Sequence, residues 1–494
     1  LSDGGWNINP IQILVKNIGI LFVGQIIGYL FSFFYTVFTA RYLGAEGYGI
    51  LSFALAFTGM FVILADFGLS TLMIREIARK KNLVSKYLGN IAVMKIILSF
   101  MTFFLIFLII NLIGYPKQTV DIVYLFALYV IFNSFTQIFY SVFQAYEKME
   151  YISIGQILNA SLLLAGALLL IHYGFEVIYF ALLYLIVNLI VFAYSVFFYV
   201  KKFGLLHFEV DWSFWKRLIK DAWPMGGMAI FIMIYFRIDT IMVSLIVGQA
   251  AVGLYSAAYQ LSEMTTIIPT MFITAIFPVM SRFFKDSKSS FAKTYAKSTK
   301  YLLYTGVLVA LVITILAGPI IGLVFGNKFS GSVFALQIII WSAAIMYITM
   351  LQGNIIITAN KQLFNFKMTI ITAVFNIILN LILIPKYSFY GASLATVITE
   401  AFGVIFAIFF FNRWGYKINV IDTFLPAFLA LLGAVAVSIA LIELSIHNII
   451  FIAVIATLIY VVIIYKVGIN SEDKLLIIDI IKSVIGDSYG IRKL

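Results

Sequence analysis

Apolar residues run in long blocks along this chain, and short polar breaks separate them. A block of roughly 17 residues or more is long enough to cross a bilayer as a helix. Such blocks fall at 15–40, 47–74, 87–113, 120–140, 152–171 and 177–200, then at 222–247, 252–280, 301–325, 333–357, 368–384 and 391–411. Two more follow at 424–442 and 449–465. The strict alternation of a barrel strand is missing, and only helices and closed barrels satisfy their backbone in lipid. The pattern predicts an all-α polytopic membrane protein of about 14 transmembrane helices, two sets of six followed by a pair.

The two sets repeat each other. Laid without a gap beneath 36–54, the stretch 240–258 puts Thr240 under Thr36, Gly248 under Gly44, Gly253 under Gly49, Ser256 under Ser52 and Ala258 under Ala54. A later pairing sets Asn376 under Asn159, Tyr390 under Tyr173 and Gly391 under Gly174. Shared glycines mark shared backbone constraints rather than shared composition. Duplicated halves are a common build of secondary transporters, with the substrate site where the repeats meet. The division expected is a six-helix lobe at 1–200, a cytoplasmic interfacial linker at 201–221 and a second six-helix lobe at 222–412. Helices 13 and 14 then occupy 413–466, and 467–494 forms a cytoplasmic amphipathic tail.

Composition agrees with this reading. Hydrophobic residues make up 63% of the chain and charged residues 11%, where a soluble domain carries about a quarter charged. The net charge of +12 is a topology signal rather than a nucleic-acid signal. Lys and Arg gather in alternate loops, such as Arg75 to Lys86, Lys201 to Lys220 and Arg282 to Lys300. The intervening loops hold only Arg41, Lys117, Lys328 and Lys386. That bias predicts a plasma-membrane protein with both termini cytoplasmic.

The chemistry expected is narrow. The chain has no cysteine, which excludes disulfides and thiol catalysis. No phosphate-binding Walker loop and no zinc spacing is present. His172, His207 and His447 are isolated and read as loop residues. The 159–161 glycosylation sequon lies inside a helix. The start, 1–10, does not open on Met and reads in part as a cloning remnant. Trp212, Phe214, Trp215, Leu218 and Ile219 of the linker, and the stretch 472–485, read as surface-lying amphipathic segments.

Ionisable groups within spans are expensive and face a cavity or a partner. Arg237 and Asp239 lie mid-way along the seventh helix, two residues apart, and so point in different directions. Lys95 lies in the third helix near its cytoplasmic end, where snorkelling to the interface is the plainer reading. Lys16 opens the first helix and Gln25 follows it. Asp66 precedes Phe67-Gly68, where the glycine allows a bend. Arg75 and Glu76 are adjacent at a helix end and read as an interfacial pair. Gln260 and Glu263 lie in the eighth helix, Glu263 as a counter-charge to Arg237 or a titrating group. Asn376 and Asn380 share one helix face, as do Thr396 and Glu400. With Asp239 they make an oxygen-rich set suited to a small hard cation such as Na⁺, or to interhelical hydrogen bonding.

The stretch Arg41-Tyr42-Leu43-Gly44-Ala45-Glu46-Gly47-Tyr48-Gly49, followed by Asp66-Phe67-Gly68-Leu69, resembles the oligosaccharide and polysaccharide flippases. So does Arg237-Ile238-Asp239-Thr240-Ile241-Met242 with Gly253-Leu254-Tyr255-Ser256-Ala257-Ala258-Tyr259. Their superfamily also holds multidrug extruders and lipid II flippases. The resemblance implies two lobes in a V around a central cavity lined by helices one, two, seven and eight. It implies export of a polyprenyl-diphosphate-linked oligosaccharide to the outer leaflet by alternating access, without enzymatic chemistry. Arg237 is then the first candidate for the diphosphate, which arginine binds bidentately. Lys16, Arg41, Lys95, Gln25, Gln260 and Glu263 complete the cavity candidates. The Na⁺ pattern of the lipid II flippases maps onto Asp239, Asn376, Asn380 and Thr396, with Asn380 where a carboxylate is expected. Asp66, Glu263 and Glu400 are the coupling candidates, with Na⁺ or H⁺ as the ion and no other cofactor. The partners implied are the lipid-linked sugar and membrane lipids, with no nucleic acid and no need for more than a monomer. A drug or cation antiporter of the same fold and a lipid II-type flippase are the alternatives. A membrane sugar transferase would need a sizeable outer loop with acidic metal ligands, and none is visible.

Overall fold

The computed structural model describes residues 10–206, 208–359, 361–471 and 473–474. His207, residues 1–9, and Glu472 with 475–485 of the expected tail lie outside the described residues.

Fourteen α-helices and no strand make up the described chain. They are α1 (Pro10–Asp66), α2 (Leu69–Arg79), α3 (Val84–Ile113), α4 (Lys117–Ala145), α5 (Met149–His172), α6 (Val177–Phe203) and α7 (Trp212–Ile246). Then come α8 (Gln249–Met264), α9 (Ile267–Asp286), α10 (Lys288–Val324), α11 (Ser332–Thr358), α12 (Gln362–Arg413), α13 (Val420–Glu443) and α14 (Ile449–Ile463). Among the described residues eleven segments are long and apolar enough to span a membrane.

Helices and expected crossings do not map one to one. α1 has 57 residues and α12 has 52, whereas about 20 residues cross the hydrocarbon. Each is two crossings joined at one residue with non-helical backbone, Gly44 (φ 69°) in α1 and Ser388 (φ 56°) in α12. The second expected crossing also ends early. The chain leaves the helix at Phe67 (φ 51°) and Gly68 (φ 79°), and α2 starts afresh. The glycine after Asp66 thus marks a real bend.

The chain forms two compact units. One comprises 1–257, 324–329 and 369–392; the other comprises 258–323, 330–368 and 393–494. In the first, Leu72, Ile91, Val142, Phe143 and Ala222 are core residues. α6 ends at Phe203, and Asp211 caps α7, its carboxylate accepting from Phe214 N. Asn90 of α3 clips this linker down: its Oδ1 accepts from Asp211 N (2.9 Å) and from the Trp215 indole (2.8 Å). Lys86 adds an ion pair to Asp211 at 3.2 Å. Phe214, Trp215 and Leu218 are consequently buried, while Trp212 and Trp223 stay exposed. In the second unit, the core gathers Phe291, Tyr295, Tyr347, Phe411 and Tyr460. Past α14, Asp473 returns to α10 and meets Lys300 (2.9 Å) and Lys297 (3.1 Å).

The repeat is visible in the backbone. Gly44 and Gly248, paired in sequence, both adopt positive φ (69° and 120°). The same ungapped pairing sets Gly49 against Gly253 and Ala45 against Gln249. Here the helices touch: a Cβ on Gly49 would stand 1.8 Å from the Gln249 carbonyl oxygen, and one on Gly253 would stand 1.9 Å from that of Ala45. Only hydrogen fits at either glycine.

Candidate functional site

The structure draws one polar cluster together inside the first unit. Asp239 on α7 and Asn376 and Asn380 on α12 are all buried, at 6%, 1% and 0% exposure. The spacing of four on α12 puts both amides on one face. Asn380 Nδ2 donates to Asp239 Oδ1 (2.5 Å) and to Asn376 Oδ1 (2.9 Å). Tyr255 of α8 donates its hydroxyl to Asp239 Oδ2 at 3.2 Å. Tyr255 stood out in the sequence only as part of the family-like stretch 253–259, because nothing in the periodicity of α8 fixes which way its hydroxyl points.

The hydrogen bonding tests whether a cation fits. The Asn380 amide nitrogen occupies the point on which the Asp239 and Asn376 oxygens converge, and Asn380 Oδ1 is buried without a partner. Half a turn of that amide exchanges its nitrogen for the orphaned oxygen. Three side chains then present oxygen to one point, the donor set of a hard cation. A single carboxylate balances one positive charge, so the set suits a monovalent ion. A divalent ion would leave net charge buried, at high desolvation cost. Thr396 and Glu400, the other members of the expected set, belong to the second unit. Thr396 is half-buried, and buried Glu400 accepts from Thr349 Oγ1 at 3.0 Å.

Lys95 departs from its plainer reading. It does not snorkel: it is fully buried, and its ammonium meets Asp66 Oδ1 (2.5 Å), Ser70 Oγ (3.1 Å) and the Ser134 carbonyl (2.7 Å). Ser70 in turn donates to Asp66. Desolvation forbids an isolated ammonium at such depth, and a carboxylate with two further oxygens is what makes it tolerable. Lys95 and Asp66, expected in separate roles, form one neutral unit at the break between α1 and α2.

The remaining candidates are spread out. Arg237 is exposed, and among the described residues no hydrogen bond or ion pair holds its guanidinium. Its neighbour Asp239 is buried, so the two do point apart as their spacing requires. Lys16 and Gln25 are exposed on α1, and Gln25 donates to Tyr29 Oη (3.0 Å). Arg41 Nε donates to the Val324 carbonyl at 2.7 Å. Gln260 is half-buried and Glu263 exposed, both in the second unit. Arg75 and Glu76 pair at 2.8 Å as expected.

Comparison with known proteins adds the relatives. A family model described as "Polysaccharide biosynthesis protein" matches residues 14–284, and a second, MatE, matches 224–382. The chain is 23% identical over 397 residues to the "Probable low-salt glycan biosynthesis flippase Agl15" of Haloferax volcanii, covering 78% of this chain and 80% of that protein. It is 21% identical over 410 residues to the "Capsular polysaccharide biosynthesis protein CapF" of Staphylococcus aureus, covering 81% of this chain and all (100%) of that one. Among solved structures, the lipid II flippase MurJ in an inward closed conformation superposes with a TM-score of 0.73 at 18% identity, over 90% of this chain and 98% of MurJ. An inward-facing MATE multidrug transporter superposes with a TM-score of 0.66 at 14% identity, over 79% and 94%.

Proposed function

The chain belongs to the polysaccharide biosynthesis protein family, and from that premise we propose that it is a flippase for a polyprenyl-diphosphate-linked oligosaccharide. It moves the sugar head from the cytoplasmic to the outer leaflet of the plasma membrane by alternating access, without covalent chemistry. Both termini are cytoplasmic in this reading, and a single chain suffices. The names of Agl15 and CapF support the glycan class of the cargo.

The observation that carries the reading is Arg237. An arginine inside an apolar helix avoids lipid and faces water or a partner. This one is exposed and has no partner among the described residues. A diphosphate supplies what it lacks, since the guanidinium fork matches two phosphate oxygens. The prenyl tail needs no protein route because lipid already solvates it.

Asp239, Asn376 and Asn380 are the residues that would hold a coupling cation. Bound there, Na⁺ or H⁺ supplies the energy of its gradient, and the membrane potential adds about 2.3 kcal/mol per charge per 100 mV. The residues themselves connect α7, which carries Arg237, to α12, so the charge state of Asp239 bears on the segment that holds the diphosphate.

The MatE match over 224–382 favours a second reading, a drug or cation antiporter. An exposed cation at Arg237 opposes it, because it repels a cationic drug.

The test is transfer of a fluorescent prenyl-diphosphate oligosaccharide across proteoliposomes, in Na⁺ and in choline. The parent chain is expected to transfer, and Arg237→Ala to lose at least about tenfold, as expected for a charge-assisted hydrogen bond of about 1.5–3 kcal/mol. Asp239→Asn is expected to remove any difference between Na⁺ and choline. Equal transfer by Arg237→Ala removes that residue from the mechanism. No transfer under any gradient moves the weight to the antiporter.

A further inference from the structure

We propose, resting on the transport reading above, that Trp223 and Phe67, with the Asp66 carboxylate beside them, form a subsite that receives one sugar ring of the cargo. A strained turn, a buried lysine and an exposed tryptophan of the first unit meet there.

The turn sets the aromatic pair. α1 breaks after Asp66, and Phe67 takes φ 51°, a left-handed conformation that is costly for a bulky residue. The Phe67 ring meets Trp223 of α7, with centroids 5.6 Å apart and ring planes inclined by 41°. α7 passes close by: a Cβ on Gly226 would stand 3.0 Å from the Phe67 carbonyl oxygen. Gly226 follows Trp223 by three residues and so shares its face of the helix. Trp223 is nevertheless 59% exposed. Phe67 therefore backs the indole and leaves most of it open.

Asp66 supplies a polar edge. Its side chain keeps 20% exposure, while Lys95 behind it has none. Lys95 and Ser70 both engage Oδ1, and an ionised carboxylate accepts about four hydrogen bonds. Acceptor capacity remains on a group that can be reached from outside. A partly exposed carboxylate does not face hydrocarbon, so the surface that Asp66 shares with Phe67 faces water. Trp223 also lies past the surface-lying turns at 212–219, about 16 Å beyond Trp212 along the axis of α7.

This chemistry fits a neutral sugar. A pyranose has an apolar face of C–H bonds, which carry partial positive charge, and hydroxyls around its edge. The negative face of an indole attracts the first, and a carboxylate accepts from the second. Lys95 balances the charge of Asp66, so the subsite draws neither a diphosphate nor a cationic drug. The start of α7 and the break after α1 both lie toward the end that the charge bias assigns to the cytoplasm, where the cargo is loaded in this reading.

Two lipids separate the sugar from the diphosphate. One is a prenyl diphosphate bearing a short N-acetylhexosamine oligosaccharide, the other the bare prenyl diphosphate, each titrated onto the full chain in nanodiscs. The parent is expected to bind the sugar-bearing lipid at least about fivefold more tightly, the scale of one aromatic contact. Trp223→Leu keeps an apolar side chain without a π face. It should bind the two lipids alike while keeping the parent's affinity for the bare one, and Trp223→Phe should restore the preference. A preference that persists in Trp223→Leu, or is missing in the parent, overturns the subsite. Binding of neither lipid by the parent counts against the transport reading instead. A second arm then still decides the subsite. Because the chain has no cysteine, Trp223→Cys reports without background, and a membrane-impermeant maleimide should label it in inside-out vesicles. Absence of labelling puts position 223 in lipid and overturns the subsite whatever the cargo.

Discussion

Lys95 carries its charge into the interior of a helical bundle, and a single carboxylate makes that possible. The sequence offered it a simpler course, since it lies within reach of the cytoplasmic interface and long stems snorkel readily. The structure turns it inward because Asp66, Ser70 and the Ser134 carbonyl supply oxygens on three other elements. Removing one partner of a buried pair leaves an uncompensated charge and costs about 3–5 kcal/mol, while replacing both by apolar residues is often neutral. Asp66→Ala should therefore lower the thermal unfolding temperature sharply, and Asp66→Leu with Lys95→Met should recover most of the loss. A double variant whose destabilisation equals the sum of the singles would refute the pairing. The partnership was not legible beforehand, because the two residues lie in different helices and no spacing links them. The Asn376–Asn380 pair was legible, because a helix itself brings positions four apart together.

At the scale of elements, helices are held at their ends by polar clips that sequence patterns only hint at. Asn90 is unremarkable in the sequence, yet it anchors the linker that leads into α7. The last described residues are clipped similarly by Asp473. Burial opposes the Asp473 charge, but Lys300 and Lys297 outweigh it and hold the carboxyl at about 2. A depressed carboxyl contributes stability that is complete above its unfolded value of about 3.9 and is lost as pH falls through the folded value. The unfolding-temperature difference between the parent and Asp473→Asn should therefore stay constant from pH 7 to pH 5. It should shrink below about pH 4 and vanish only below about pH 2. A difference that already fades between pH 7 and pH 5 would mean that the lysines do not hold this carboxylate.

For the whole molecule, the basic loops and the repeat make the strongest statements. The charge bias predicts which loops lie outside. Lys328 and Lys285 are both exposed and fall on opposite sides in that prediction. In intact cells Lys328→Cys should react with an impermeant maleimide and Lys285→Cys only after permeabilisation; the reverse order would invert the topology. The repeat, read from a few paired glycines, returns as paired positive φ values at Gly44 and Gly248 and as the reciprocal contact of Gly49 and Gly253.

Class, helix content and the glycines that mark the repeat are legible in the sequence alone. Each follows from a local or periodic requirement: enough apolar length to cross lipid, backbone satisfied within the helix, and glycine where no side chain fits. Which polar groups meet was decided only by the tertiary structure. A helix in lipid is apolar on every side, so it lacks the polar face that would show which side turns inward. Its rotation is set by packing against neighbours, and that rotation brings Asp239 to Tyr255 and Asn380, turns Lys95 toward Asp66, and leaves Arg237 exposed.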